Sequence, residues 1–218
     1  MLKFQEIEHK YLVDEAFDLT AFEATAQRLK PVKSHRVKVR DTYYVVAGLP
    51  GHILRHRIDS ELQQLSVKSI AADNECRTEV NLDLGHHRGD QSEAVQAFVQ
   101  PMEPLWSGSI EKNINVFYFS GCEVVHYTAV ADGGLEAGLE SGRTVHCVEF
   151  EAIMEPGQLP EVTRDGALRA ISVYEKAFGF QPDSRCRQSL FELLFADRLP
   201  KNVSNFMNSR RQKWKPLD

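Results

Sequence analysis

The chain has 218 residues, a length that suits one large domain better than two independent ones. Its formal net charge of −5 excludes the generally basic surface that nonspecific binding of nucleic acid or membranes requires, so any anion site must be local. The N-terminus is too charged for a signal peptide, and no run of about 18 apolar residues occurs elsewhere. We therefore expect a cytoplasmic protein without a nucleic-acid or membrane partner.

Alternation of apolar and polar residues predicts a chain made mostly of strands. In chain order the predicted strands are 2–13, 35–46, 52–59, 62–70, 75–84, 109–119, 122–132 and 144–154. Spacing of 3.6 residues predicts helices at 18–29, 91–99, 165–178 and 187–197. The fold class is therefore α+β, with helices framing a sheet of about eight strands.

The chain contains no internal repeat and no convincing linker. We predict one domain over residues 1–198, followed by a basic tail over 199–218. The tail contains Arg210, Arg211, Lys213 and Lys215, and we expect it to be solvated rather than to form a binding patch.

The first strand carries its charges on one face. Glu6, Glu8 and Lys10 share that face because residues two apart on a strand point the same way. Ile7 and Tyr11 lie on the other face, which can pack against helices. This arrangement predicts a closed barrel whose charged face looks inward.

The same design recurs on later strands, where the charged residues are Arg55, Arg57, Lys68, Arg77, Glu79, Glu149 and Glu151. A solvated outer face accounts for any one of these strands. Carboxylates paired at i and i+2 repel each other, however, unless a cation bridges them. Because Mg²⁺ prefers carboxylate and phosphate oxygens, acids and bases together predict a site for a metal and a polyphosphate.

Ordered motifs add a family resemblance to this pattern. The chain begins with a Glu-x-Glu-x-Lys motif at Glu6 to Lys10. The motifs that follow are Asp41-Thr42-Tyr43-Tyr44, Leu54-Arg55-His56-Arg57, Ser66-Val67-Lys68, Arg77-Thr78-Glu79, Ala131-Asp132-Gly133-Gly134, Glu149-Phe150-Glu151 and Ser184-Arg185. Over residues 2 to 195 the sequence resembles the CYTH superfamily, the triphosphate tunnel metalloenzymes.

The resemblance implies an eight-stranded antiparallel β-barrel with helices packed outside and a triphosphate in its interior. The implied metal ligands, for Mg²⁺ or Mn²⁺, are Glu6, Glu8, Asp132, Glu149 and Glu151. The implied substrate-binding bases are Lys10, Arg55, Arg57, Lys68, Arg77, Lys112 and Arg185. Glu79 is the candidate catalytic residue, aligning bases or the attacking water. A homodimer is left open.

Three functions are compatible with this resemblance. We favour a metal-dependent triphosphatase that hydrolyses inorganic tripolyphosphate, a nucleoside triphosphate or thiamine triphosphate. The alternatives are a class IV-type adenylate cyclase and a noncatalytic polyphosphate-binding protein. Three departures from the family pattern bear on activity: Asn81 where the pattern has a carboxylate, Ile114 where a second base is common, and Arg185 where a lysine is usual.

Overall fold

The computed structural model describes residues 5–70, 75–85, 89–132, 143–152 and 160–211. Its strands are β1 (Gln5–Val13), β2 (Lys33–Val46), β3 (His52–Ile58), β4 (Gln63–Ser69), β5 (Cys76–Asp83), β6 (Pro104–Phe119), β7 (Cys122–Ala131), β8 (Thr144–Glu151) and β9 (Arg185–Cys186). The Gly133-Gly134 part of the predicted motifs and the end of the predicted strand 144–154 lie outside the described residues.

The strands β1 to β8 close into an antiparallel barrel. Their order is β5, β4, β3, β2, β6, β7, β8, β1, and β1 pairs with β5 to complete the circle. The short β9 extends the same edge of β1 beyond β5, pairing at Lys10 and Tyr11. The predicted eight-stranded antiparallel barrel with helices outside is therefore confirmed.

The α-helices of the described ranges are α1 (Leu19–Arg28), α2 (Ser92–Val99), α3 (Pro160–Phe178), α4 (Leu190–Phe195) and α5 (Lys201–Arg211). Helix α1 begins where the Asp18 side chain accepts a hydrogen bond from the Ala21 backbone. Ser189 and Glu192 form a capping box that begins α4. No helix in the described ranges is both long and apolar enough to cross a membrane.

Alternation along the strands separates two apolar clusters. The outward side chains Ile7, Tyr11 and Phe150 pack with α1 and α3 and leave the alternate charged residues facing inward. At one end of the interior, α4 and α5 pack against inward-facing apolar residues, so the barrel has a nonpolar floor. Gly108 leaves room at this floor for the Trp106 ring, which a Cβ would approach to 2.5 Å.

The expectation of a solvated tail from residue 199 does not hold for the segment that forms α5. Val203 is fully buried and Met207 is 6% exposed, and both belong to the cluster that forms the floor. Their spacing of four residues places them on one helix face. The sequence signal was weak because only these two positions and Phe206 carry apolar side chains in a polar stretch. The division of the chain at residue 198 stays a prediction.

Burial of α5 can be tested by placing a charge in it. Val203→Asp should lower the free energy of unfolding by roughly 3 kcal/mol, because the carboxylate would have to lose water without gaining a partner. Asn205→Asp, at an exposed position of the same helix, is the matched control and should change stability by less than about 0.5 kcal/mol. Urea denaturation measures both, and equal midpoints for the two variants would contradict the packing of α5.

Candidate active site inside the barrel

The barrel interior contains a cavity of about 440 Å³. The predicted site residues that line it are Glu6, Glu8, Lys10, Arg55, Arg57, Lys68, Arg77, Glu79, Lys112, Glu149 and Glu151. They come from β1, β3, β4, β5, β6 and β8, and alternation brings all of them to the inner face. The charged face predicted from the sequence therefore looks into the lumen.

Two bases on neighbouring strands meet at Glu79. Arg55 donates hydrogen bonds to Glu79 at 2.8 Å and to the Ser66 hydroxyl at 3.0 Å. Lys68 forms ion pairs with Glu79 and, at 3.4 Å, with Glu6. The Nε of Arg55 is buried and has no hydrogen-bond partner among the described residues, so one donor of this guanidinium is unsatisfied.

The acids of the first strand hold two further bases. Arg77 donates from Nε to Glu6 and, at 3.1 Å, from Nη2 to Glu8. Lys10 lies 2.8 Å from Glu8 and 3.1 Å from Glu149. Burial alone would raise the pKa of Glu6, but Arg77 and Lys68 hold it well below its usual range. Each base therefore bridges two carboxylates.

A separate triad surrounds Asp41, which is fully buried. Arg57 donates two hydrogen bonds to its carboxylate, at 2.8 and 2.9 Å, and Lys112 approaches it to 2.6 Å. Burial would raise the pKa of Asp41, but Arg57 and Lys112 hold it well below the usual range. Burial and the neighbouring Arg57 together lower the pKa of Lys112 to about 8. Asp41 thus fixes two predicted phosphate ligands in place.

A row of carboxylates crosses three adjacent strands. Glu151 lies opposite Glu8 on β1 and opposite Glu123 on β7. Burial, followed by the nearby Glu6 and Glu123, raises the pKa of Glu151 well above its usual range. Burial also raises the pKa of Glu123. Glu8 contacts Lys10 and Arg77, whereas Glu151 and Glu123 form no ion pair with any other described residue.

The row has the chemistry of a cation site but is not preassembled as one. No group of three or more His, Cys, Asp or Glu side chains in the described ranges is arranged to hold a metal ion. Glu8 is drawn toward Lys10 and Arg77, while Glu151 forms no ion pair within the described part of the chain. The oxygen donors suit Mg²⁺ or Mn²⁺, and coordination would require the carboxylates to turn toward each other.

The structure does not bring Asp132 to the cavity. Ala131 is buried on the inner face at the end of β7, so its neighbour Asp132 is exposed, and its backbone amide donates to Ser109. Alternation thus places this carboxylate away from Glu149 and Glu151. Residues 133–142, which follow it, lie outside the described part of the chain.

Arg185 also lies outside the cavity. Its guanidinium donates to both carboxylate oxygens of Glu175 on α3, at 3.1 and 2.8 Å, and to the Tyr11 hydroxyl at 3.2 Å. The same carboxylate accepts from Tyr11 at 2.6 Å and contacts His9 at 2.7 Å. Burial opposes ionisation of Glu175, but these hydrogen bonds lower its pKa to about 2. In this arrangement Arg185 joins β9 to α3 and β1.

Sequence reasoning missed three residues of the site. It used Asp41 only as part of a motif, and it assigned no role to Glu123 or Tyr127. Tyr127 lines the cavity and donates a hydrogen bond to Glu149 at 2.6 Å. Glu123 is the only acid among the residues of β7, but its place opposite Glu151 depends on strand register, which the sequence does not reveal.

Comparisons with known proteins support the fold. No known family matches the sequence, and no curated protein matches it either. The PH1012 protein of Pyrococcus horikoshii OT3 is similar in structure, with a TM-score of 0.62 and 17% identity over 87% of this chain and 99% of that one. A conserved hypothetical protein of Pyrococcus furiosus gives 0.61 and 20% identity over the same shares. A Bacillus halodurans protein described as a "putative adenylate cyclase" gives 0.52 and 15% identity over 89% and 100%.

The pKa of Lys112 generates a pH prediction. In the free protein Lys112 loses its proton as the pH rises through about 8, so above this pH Lys112 must take up a proton from solvent when an anion binds beside it. The affinity for tripolyphosphate should therefore fall above this pH. Lys112→Arg should keep its affinity up to about pH 10, because a guanidinium stays charged there. Titration calorimetry measures this, and a wild-type affinity that is equal at pH 7 and about pH 10 would exclude Lys112 as a phosphate ligand.

Proposed function

We propose that this chain, which has the tunnel-barrel fold implied by its resemblance to the CYTH superfamily, is a metal-dependent triphosphatase that binds its substrate inside the barrel. The observation that carries the proposal is the inward set of bases around a cavity of about 440 Å³. Phosphate oxygens are the natural partners of several guanidinium and ammonium groups that converge on one space. The shared fold by itself assigns no activity.

The proposed metal is Mg²⁺ or Mn²⁺, and its proposed ligands are Glu8, Glu151 and Glu123. Burial raises the pKa of Glu151 and of Glu123, and neither carboxylate forms an ion pair with another described residue, which supports their assignment as ligands. Glu6 and Glu149 would also become available to the metal when phosphates bind Arg77 and Lys10, which now form ion pairs with them. When bound, the metal supplies Lewis-acid stabilisation of charge on the phosphoryl oxygens. Asp132 is not part of this set.

The bases would act by positioning and charge neutralisation. Arg55, Arg57 and Lys112 face the cavity and can hold the phosphate chain, while Lys68 and Arg77 can neutralise charge on the leaving group. Asp41 holds the side chains of Arg57 and Lys112 in position for this contact. Glu79 forms ion pairs with Arg55 and Lys68. When a phosphate binds these two bases in its place, the Glu79 carboxylate would accept a proton from an attacking water.

Noncatalytic binding is the second candidate, and one observation favours it. Asn81 lines the cavity where the family pattern has a carboxylate, and its side-chain oxygen accepts a hydrogen bond from Ser66 at 2.6 Å. Through Ser66 it supports Arg55, which binds phosphate in either function. With Asn81 in place of that carboxylate, the barrel would still bind a triphosphate but would lack one of the family's acids.

Substitution of Glu151 tests the proposed function. Phosphate release from tripolyphosphate, ATP and thiamine triphosphate is measured with Mg²⁺ and with Mn²⁺. Glu151→Gln should lower the rate about 100-fold, because a metal ligand is lost. Glu111→Gln is the matched control, since Glu111 lies on β6 and pairs with Lys38 on the outside of the barrel, and its rate should not change. Binding without turnover would support the noncatalytic function, and formation of cyclic AMP from ATP would support the cyclase.

Thermal unfolding gives a readout that does not depend on activity. Mn²⁺ should raise the melting temperature of the wild-type protein, because a ligand of the folded state stabilises it. Glu151→Gln should lose this shift, although without metal it should be at least as stable as the wild type, since substitution removes a repelled carboxylate. An equal Mn²⁺ shift in both proteins would contradict the assignment of Glu151 as a ligand.

A further inference from the structure

One wall of the cavity is aliphatic. Val37 on β2, Ile114 and Val116 on β6 and Val125 on β7 all line the cavity. The three strands are neighbours, and the register places Val37 beside Ile114 and Val116 beside Val125. These four side chains, here called the aliphatic wall, therefore form a continuous nonpolar surface that adjoins the nonpolar floor of the barrel.

The aliphatic wall faces the charged residues across the lumen. In the circle of eight strands, β6 is four strands from β5 in either direction, so Ile114 and Val116 lie across the cavity from Arg77 and Glu79. The wall ends at β8, where Val125 lies beside Glu149. A ligand between the two sides contacts ionic groups of β1 and β5 on one side and mainly hydrocarbon on the other, where Lys112 and Glu123 border the aliphatic wall.

Inorganic tripolyphosphate does not match such a cavity. It carries charged oxygens along its whole length, and an oxygen placed against hydrocarbon loses its water without gaining a partner. The floor of the cavity is nonpolar as well, because Leu190, Phe191 and Met207 line it. The cavity volume of about 440 Å³ falls in the range of about 300–1,000 Å³ that is usual for organic ligands.

A polar group lies at the edge of the aliphatic wall. The His35 ring lines the cavity beside Val116 and is stacked on Tyr118, with ring centroids 5.5 Å apart and planes 14° apart. Its Nδ1 is buried and has no hydrogen-bond partner within the described ranges. This nitrogen can form a hydrogen bond with a heteroatom of an organic group that lies along the wall.

We propose that the aliphatic wall is a subsite for the organic part of a triphosphate ester, so that the ligand is an ester carrying a nonpolar group rather than inorganic tripolyphosphate. This inference rests on the proposed function, because the charged side of the same cavity holds the phosphates. It adds the class of the substrate: the phosphate chain contacts Arg55 and Arg57, and a nonpolar group contacts Val37 and Ile114.

The test compares two ligands that differ only in hydrocarbon. Methylene-bridged methyl triphosphate and hexyl triphosphate carry the same charge and resist hydrolysis at the bridges, so titration calorimetry with Mg²⁺ measures binding alone. Transfer of one methylene from water to a nonpolar surface is worth roughly fourfold in affinity. With its added methylenes partly buried, the hexyl ester should bind at least about tenfold more tightly than the methyl ester.

Matched variants locate the effect. Val37→Thr replaces one methyl group of the wall by a hydroxyl and keeps the branched shape of the side chain. It should reduce the ratio of hexyl-ester to methyl-ester affinity about threefold. Val130→Thr is the control, because Val130 lies on β7 at 37% exposure and does not line the cavity, and it should keep the full preference. The comparison of ligands on the wild-type protein stands even if Val37→Thr fails to fold.

The outcomes separate this inference from the proposed function. Tighter binding of the hexyl ester, reduced by Val37→Thr alone, supports the subsite. Equal affinities for the two esters overturn the subsite but leave the triphosphate site in place. Failure of both esters and of tripolyphosphate to bind overturns both proposals.

Discussion

The burial of charge inside the barrel is the constraint on which the rest of the structure depends. A buried ion without a partner destabilises a protein by several kcal/mol, so the inward bases of this chain are held against acids. Arg77 bridges Glu6 and Glu8, and Asp41 holds Arg57 and Lys112. Closing the barrel is compatible with a charged interior only because the register brings these opposite charges together.

The same pairing determines how a ligand can enter. A triphosphate that takes Arg77 and Lys10 leaves the carboxylates of Glu6, Glu8 and Glu149 without their cations. A divalent metal would then restore the charge balance near Glu151, which forms no ion pair with the residues that the structure describes. Metal and triphosphate should therefore bind together, because each restores the charge balance that the other disturbs.

Sequence periodicity predicted most of the fold, since each strand of the barrel alternates between an apolar outer face and a distinct inner one. It also predicted the inward residues of β1, β3, β5 and β8. What it did not predict depends on register and on the ends of elements. Asp132 follows an inward alanine and therefore faces out, and Glu123 acquires its place only beside Glu151. Arg185 was assigned by motif, but it is bound by Glu175 on the preceding helix α3, an acid that no motif singled out.

A crystal structure with Mn²⁺ and a methylene-bridged triphosphate would reveal whether a metal and a triphosphate displace the internal ion pairs of the lumen. The anomalous signal should place Mn²⁺ about 2.2 Å from carboxylate oxygens of Glu8 and Glu151, with phosphate oxygens on Arg55 and Arg57. Mn²⁺ and phosphate outside the barrel, with the Lys10–Glu8 and Arg77–Glu6 pairs unchanged, would contradict this displacement.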